Sequence, residues 1–380
     1  MENKVCIYTI CKNEIKFVDR WLESMKEADS IVVLDTGSND GTYEYLLEKQ
    51  KEYSQLIVRQ QEIKPWRFDV ARNESMKDIP EDCNILMSTD LDEILLPGWA
   101  DEIRGRWLEG VHERGVYYYT WSHLEDGSDG RVFRYDKIHS RKWEWIAPVH
   151  EYLYRKGTKW DGSYSGTETL YLCDNDKVHL HHYPDMNKSR GSYLPLLELR
   201  EQEMPEDWYG LIYLAQEYNY RGYYQKSIDK FNYILSNYKD KYNTIEQASC
   251  YLFMGEAYVQ LGKLNEAIAA YLTAIDIEPS YREPYLNLAK VYFQKKQYDL
   301  AYAAVVTGLK QSWRHYTWLE RNESWAWEPW DLLCMICFYN GNKASSIAYA
   351  AKALSYEKDN ERLKNNLEIC LQLSEDKELI

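Results

Sequence analysis

The chain has 380 residues, enough for two domains. Its 46 basic and 61 acidic residues leave a formal net charge of −15, which argues against a general nucleic-acid or anionic-membrane binder, though not against a local basic pocket for phosphates. The opening apolar run is too short for a signal peptide and no stretch reaches membrane-span length.

In chain order, Lys4 to Ile10 reads as a first strand, running into the polar Cys11-Lys12-Asn13-Glu14. Ile15, Val18, Trp21, Leu22 and Met25 follow at helical spacing. Ser30 to Leu34 is a second buried strand, closed by the polar turn Asp35-Thr36-Gly37-Ser38-Asn39-Asp40-Gly41-Thr42. Tyr43 to Lys49 reads as helix and Gln55 to Arg59 as strand. The alternation predicts a parallel α/β sheet, whose ligands sit at the carboxyl ends of the strands. A helix opens at Trp66-Arg67-Phe68-Asp69-Val70-Ala71-Arg72-Asn73-Glu74 and brings two arginines to that acidic face.

Asn84 to Met87 is a further buried strand, followed by Ser88-Thr89-Asp90-Leu91-Asp92-Glu93. Carboxylates at i and i+2 repel one another unless a cation lies between them. Asp90 and Asp92 therefore suggest a divalent metal clamping a diphosphate; the plainer alternative is a solvated loop opening a helix. Glu93 is expected only to start the next turn.

These stretches together resemble a family 2 glycosyltransferase of the GT-A fold. The carriers, in that family's order, are Thr9-Ile10-Cys11-Lys12-Asn13-Glu14, Val33 to Thr42, Ala71-Arg72-Asn73 and Thr89-Asp90-Leu91-Asp92-Glu93. The resemblance implies a Rossmann-like nucleotide-sugar-binding domain over residues 1–193. Thr9 and Asp35 would line the base and ribose pocket, and Arg72 would reach the base. Asp90 would hold the ribose or the metal, and Asp92 the metal, a Mn²⁺ or Mg²⁺ ion. A carboxylate such as Asp35 can accept the uracil imide N–H, which fits a UDP-sugar donor.

The middle segment is strand-like at Gly115 to Ser122 and Gly130 to Arg134, separated by a Gly/Asp turn. It continues through Trp143 to Glu151 and closes on Lys177 to Asp185. His179, His181 and His182 crowd this last stretch. A zinc site asks for further Cys or His at regular spacing, and none follows. The expectation is that His181 or His182 completes the Asp92 metal site, the others packing or hydrogen-bonding. Lys188 and Arg190 either reach the diphosphate or sit on a solvated helix start. Inverting transfer needs a base for the acceptor nucleophile; Glu151 is the first candidate, His150 the second and Asp185 the third.

From about residue 194 the pattern is helical throughout, with a repeat of about 34 residues. Tyr251, Met254, Gly255, Tyr258, Ala267, Tyr271, Ala274 and Pro279 occupy tetratricopeptide signature positions. One period later they are Tyr285, Leu288, Ala289, Tyr292, Ala301, Val305, Gly308 and Trp313. Degenerate copies start near 208 and 327. Gln311 to Ala326 is an insertion, and Leu363 to Leu373 a capping helix. Residues 194–380 are thus expected to form an all-α tetratricopeptide solenoid that binds a peptide or protein acceptor or a second copy of the chain. Cys334-Met335-Ile336-Cys337 reads as helix packing, and the eight scattered cysteines fit a reduced, cytoplasmic setting.

A GT-A domain joined to such repeats resembles bacterial peptide and protein glycosyltransferases, including S-glycosyltransferases of bacteriocins. The chain lacks the extra N-terminal segment of those enzymes, which leaves the acceptor chemistry open. The expected activity is metal-dependent, inverting transfer of a hexose or N-acetylhexosamine from a UDP-sugar to a peptide or protein. The alternatives are a glycan or lipid-linked acceptor with repeats for dimerisation, or a non-catalytic scaffold.

Overall fold

The computed structural model describes residues 2–124, 127–158, 169–185, 191–315 and 317–375. It divides into two compact units, Met1–Gly210 and Leu211–Ile380.

The first unit is built on a nine-stranded sheet. Its elements are β1 (Val5–Cys11), α1 (Val18–Met25), β2 (Ser30–Asp35), α2 (Thr42–Lys49), β3 (Leu56–Gln60), α3 (Phe68–Ser75), β4 (Ile85–Ser88), β5 (Glu93–Leu95), α4 (Trp99–Arg106), β6 (Arg114–Thr120), β7 (Val132–His139), β8 (Trp143–Ile146), β9 (Tyr152–Arg155), β10 (Thr169–Tyr171), β11 (His179–His182) and α5 (Tyr193–Glu203). The sheet order is β3-β2-β1-β4-β7-β6-β11-β5, with β10 also on β6; β8 and β9 form a separate hairpin. The pairs β3–β2–β1–β4 are all parallel, as the strand–helix alternation predicts. From β7 onward the sheet is mixed, since β7 runs antiparallel to both β4 and β6.

β1 is buried along its whole length because both faces of the parallel half are covered, one by α1 and the other by α3 and the β8–β9 hairpin. On one face, α1 presents Val18, Trp21, Leu22 and Met25 to a core that includes Ile7, Val33, Met87 and Trp99. On the other, Tyr8, Val32 and Leu86 meet Trp143, Trp145 and Leu153 of the β8–β9 hairpin. A buried relay crosses this second layer. Trp145 Nε1 donates to Tyr8 Oη (2.6 Å), which meets His139 Nε2 at 2.6 Å, while His139 Nδ1 bonds the Ser140 carbonyl at 2.8 Å. A carbonyl only accepts, so the His139 proton sits on Nδ1 and Nε2 accepts a hydrogen bond from the Tyr8 hydroxyl.

The stretch after Asp92 is a strand rather than a helix start. Glu93 opens β5, is 1% exposed, and belongs to the sheet through pairing with His182.

The second unit consists of helical hairpins. Its helices are α6 (Trp208–Tyr220, which begins before the division), α7 (Tyr224–Asn237), α8 (Thr244–Gln260), α9 (Leu264–Ile277), α10 (Arg282–Gln294), α11 (Tyr298–Leu309), α12 (Asn322–Trp325), α13 (Glu328–Tyr339), α14 (Lys343–Leu354) and α15 (Glu361–Glu375). Small residues let paired helices approach: Gly255 of α8 leaves room for the Tyr271 ring of α9, and an added Cβ would collide with that ring. Asn243 caps α8 in a reciprocal capping box with Glu246. The insertion after α11 is tied down by Arg282, which donates to the carbonyls of Gln311 and Ser324 and lies 3.7 Å over the Trp325 ring. Cys334 and Cys337 are both buried within α13, as helix packing requires.

Candidate functional site

The parallel half aligns its strand ends by register. Cys11 of β1 pairs with Asp35 of β2, and Tyr8 with Ser88 of β4. Asp35 is wholly buried. Its Oδ1 accepts the backbone N–H groups of Gly37 and Ser38 and the Gln60 amide, all at 2.9 Å, so it holds the turn that follows it. Gly37 takes φ +103°, which a side chain would strain. Thr9 is also fully buried, with Oγ1 turned onto the Ile10 carbonyl at 3.3 Å.

Arg72, on α3, is the hub of an ionic network. Its Nε donates to Glu151 Oε1 at 2.5 Å, Nη1 to Ser88 Oγ at 2.9 Å and Nη2 to Asp90 Oδ1 at 3.0 Å. The guanidinium also lies 5.1 Å over the Trp145 ring. Lys137, from β7, reaches Asp90 at 3.7 Å and Glu93 at 3.8 Å. Burial opposes the Lys137 charge, but Asp90 and Glu93 outweigh it and hold the ammonium well above its usual range. Glu93 receives the Asp90 N–H and the Tyr119 hydroxyl, both at 2.8 Å; burial pushes its own pKa upward. Two cations thus face three carboxylates in a mostly buried cluster.

Asp92, two residues along, points into a different contact. Its Oδ2 lies 3.5 Å from His182 Nε2, and both side chains are largely buried. His182 Nδ1 bonds the Trp121 carbonyl at 3.0 Å, so Nδ1 carries the proton and Nε2 turns its lone pair toward Asp92. Burial opposes a charge on the ring, yet Asp92 raises its affinity for a proton. The carboxylate and imidazole donors, with a carbonyl orienting the ring, therefore fit a shared divalent ion.

The two histidine candidates separate. His181 faces away from Asp92, toward His123 at 3.2 Å and Asp129 at 3.5 Å, and burial lowers its pKa to about 4. His179 bonds Thr120 Oγ1 at 2.7 Å. Among the base candidates, Glu151 joins the Arg72 network. His150 packs edge-on against Tyr193, with ring centroids 5.5 Å apart, and Asp185 pairs with Lys16 at 2.7 Å. Lys188 and Arg190 lie outside the described residues.

The loop that carries Glu151 is under backbone strain. Ala147 (φ +78°) and His150 (φ +49°) both take left-handed conformations that side chains disfavour. What holds it is Arg200 of α5, 1% exposed, which donates to the carbonyls of Val149 (2.9 Å) and His150 (3.0 Å) and pairs with Asp207 at 2.6 Å.

Lys137, Ser88 and Arg200 were not among the sequence candidates. Lys137 had a signal: it sits between Tyr135 and His139 at strand alternation, a charge on an inward-facing register. Arg200 had none toward the loop it holds, because Asp207 is its near partner and the carbonyls it ties down lie some fifty positions away.

Residues 6–175 match the family described as Glycosyl transferase family 2, and residues 255–296 match a TPR repeat. No curated protein matches the chain. Among solved structures, a thermophilic TPR protein of Thermus thermophilus is similar at 21% identity, covering 47% of this chain and 89% of that one, with TM-score 0.38. A tetratricopeptide repeat protein from Parabacteroides merdae is similar at 15% identity, covering 47% and 64%, with TM-score 0.38. The MamA protein is similar at 17% identity, covering 47% and 99%, with TM-score 0.36.

Proposed function

Because residues 6–175 form a glycosyl transferase family 2 domain and the chain is therefore a glycosyltransferase, we propose that it transfers a hexose or N-acetylhexosamine from a UDP-sugar to a peptide or protein, with inversion. The Asp92–His182 pair at the strand ends carries this reading, because it is a cation-attracting gap beside the expected nucleotide face. Asp92 and His182 would hold the ion. When bound, Mn²⁺ or Mg²⁺ supplies positive charge against the departing diphosphate.

In the proposed reaction the acceptor nucleophile attacks the anomeric carbon as the bond from that carbon to the phosphate oxygen breaks. The diphosphate leaves with the bonding electrons, and the nucleophile's proton passes to Glu151. Arg72 holds Glu151 by one carboxylate oxygen. The strained 147–150 turn, tied by Arg200, keeps that carboxylate facing the strand ends. Positioning of this kind supplies much of the acceleration expected of a transferase. Asp35, through the turn it holds, and Thr9, buried within β1, shape the base side of the pocket from behind. Lys188 and Arg190 are assigned to the diphosphate.

The repeats, 194–380 in this reading, recruit the acceptor or pair two copies of the chain. All eight cysteines are unpaired thiols, which supports a reducing, cytoplasmic setting. No helix among the described residues is long and apolar enough to cross a membrane.

The test is UDP release from a panel of UDP-sugars with Mn²⁺, with and without candidate peptide acceptors. Asp92→Ala should lower turnover by about 10²–10³-fold, the several kcal/mol a metal contributes to the transition state. A preparation that binds no nucleotide sugar, with Asp92→Ala indistinguishable from wild type, sinks the proposal.

A further inference from the structure

On the far side of β11 from His182, three ligand-type atoms converge. His123 and Asp129 face each other as a bridge pair across the hairpin that joins β6 to β7. His181 enters from β11, registered against Thr120 of β6. His123 Nε2 is 3.2 Å from His181 Nδ1 and 3.9 Å from Asp129 Oδ1; His181 Nδ1 is 3.5 Å from the same oxygen.

We propose that His123, Asp129 and His181 form a second cation site, for a zinc-type divalent ion, distinct from the Asp92–His182 pair. An ion bound tetrahedrally at ~2.0–2.2 Å sets its ligands roughly 3.3–3.6 Å apart; of the three separations here one, 3.5 Å, lies in that range, one is shorter at 3.2 Å and one longer at 3.9 Å, so the three atoms close onto an ion by small shifts of the hairpin. Two imidazole nitrogens and one carboxylate oxygen suit zinc, whereas magnesium and calcium want oxygen throughout. Three protein ligands leave a fourth corner for water.

The ligands are already held. The His123 ring stacks on Tyr183 at 4.3 Å with 6° between planes, and Tyr183 is itself covered by Arg20 at 4.8 Å. The His181 ring stacks on His179 at 4.3 Å. His179 is committed to Thr120 and stays outside the ligand set. Strand alternation puts His179 and His181 on one face of β11 and Leu180 and His182 on the other. An ion at this point clamps the β6–β7 hairpin to β11 and so braces the strand that presents His182. The site stands whether or not the transferase reading does.

The experiment uses the full-length chain in the Asp92→Ala background, which removes the other cation site. Zn²⁺ is titrated calorimetrically, and Co²⁺ serves as a spectroscopic probe. The expected result is one Zn²⁺ per chain and the strong visible bands of tetrahedral Co²⁺. His123→Ala or Asp129→Asn, added to that background, should weaken Zn²⁺ binding at least about 10-fold. Both variants should keep the parent's far-UV circular dichroism, so that the loss is read on a folded chain. Unchanged zinc affinity in folded His123→Ala and Asp129→Asn chains, or no Co²⁺ bands in the parent, overturns the proposal.

Discussion

At the strand ends of the first unit, Arg72, Lys137, Asp90, Glu93 and Glu151 gather in one network, every ion facing an opposite charge. In the second unit a helix pair closes by setting a tyrosine ring on a glycine, Tyr271 on Gly255, a contact that carries no charge. The first arrangement is specific and vulnerable: each ion depends on a named partner, and removing one strands the rest in a low dielectric. The second is forgiving of chemistry and strict about volume. Ionic burial gives the first unit a site of fixed geometry; small-on-large packing gives the second a surface that stacks by repetition.

Arg72→Met tests the contrast hardest. It leaves Glu151 and Asp90 facing one another across a buried gap and should cost about 3–5 kcal/mol, the range for breaking a buried pair. Denaturant unfolding followed by fluorescence reads this, and a stability equal to wild type would show the network to be ornamental. Gly255→Ala should cost about 1–3 kcal/mol by overpacking against Tyr271, with the α8–α9 hairpin loosened and UDP release per folded molecule unchanged. A drop in turnover at unchanged stability would mean that the units do not divide the labour as proposed.

The gentlest test is acid. Burial holds His139 neutral, with a pKa near 3 against an ordinary 6.5. The unfolded chain therefore takes up a proton that the folded chain refuses. The stability from a neutral His139 is fully present above pH 6.5 and is lost progressively as pH falls from there toward 3. His139→Gln should flatten stability between pH 7 and pH 5; an unchanged slope would place the acid sensitivity elsewhere.

Much of this was legible in the residues. Strand and helix alternation up to Met87 yields the parallel half because buried strands and amphipathic helices have different periods. The tetratricopeptide spacing yields the helix pairs for the same reason. The mixed half was harder. β5 has three residues, too few for a period, so Glu93 looked like the start of a turn. The β8–β9 hairpin was hidden because each of its strands has only four residues, too few for a period. At the site, Asp90 and Asp92 were visible as a pair, but their divergence was not. Whether a carboxylate turns to Arg72 or to His182 depends on a helix and a strand that lie far apart in the chain. His181 lacked nearby partners in the sequence because its neighbours, His123 and Asp129, come from a hairpin more than fifty residues earlier.

β11 pairs with β6 on one side and β5 on the other, so its four residues are pinned from both edges. His181 and His182 are adjacent yet look into opposite halves of the sheet. Their assignment therefore rests on parity alone. A single-residue deletion between Cys173 and Val178 that let the strand slide by one position would exchange every inward and outward side chain. It would turn a histidine away from Asp92 without altering any histidine. For this strand, the count of residues in the preceding loop carries as much functional information as their identities.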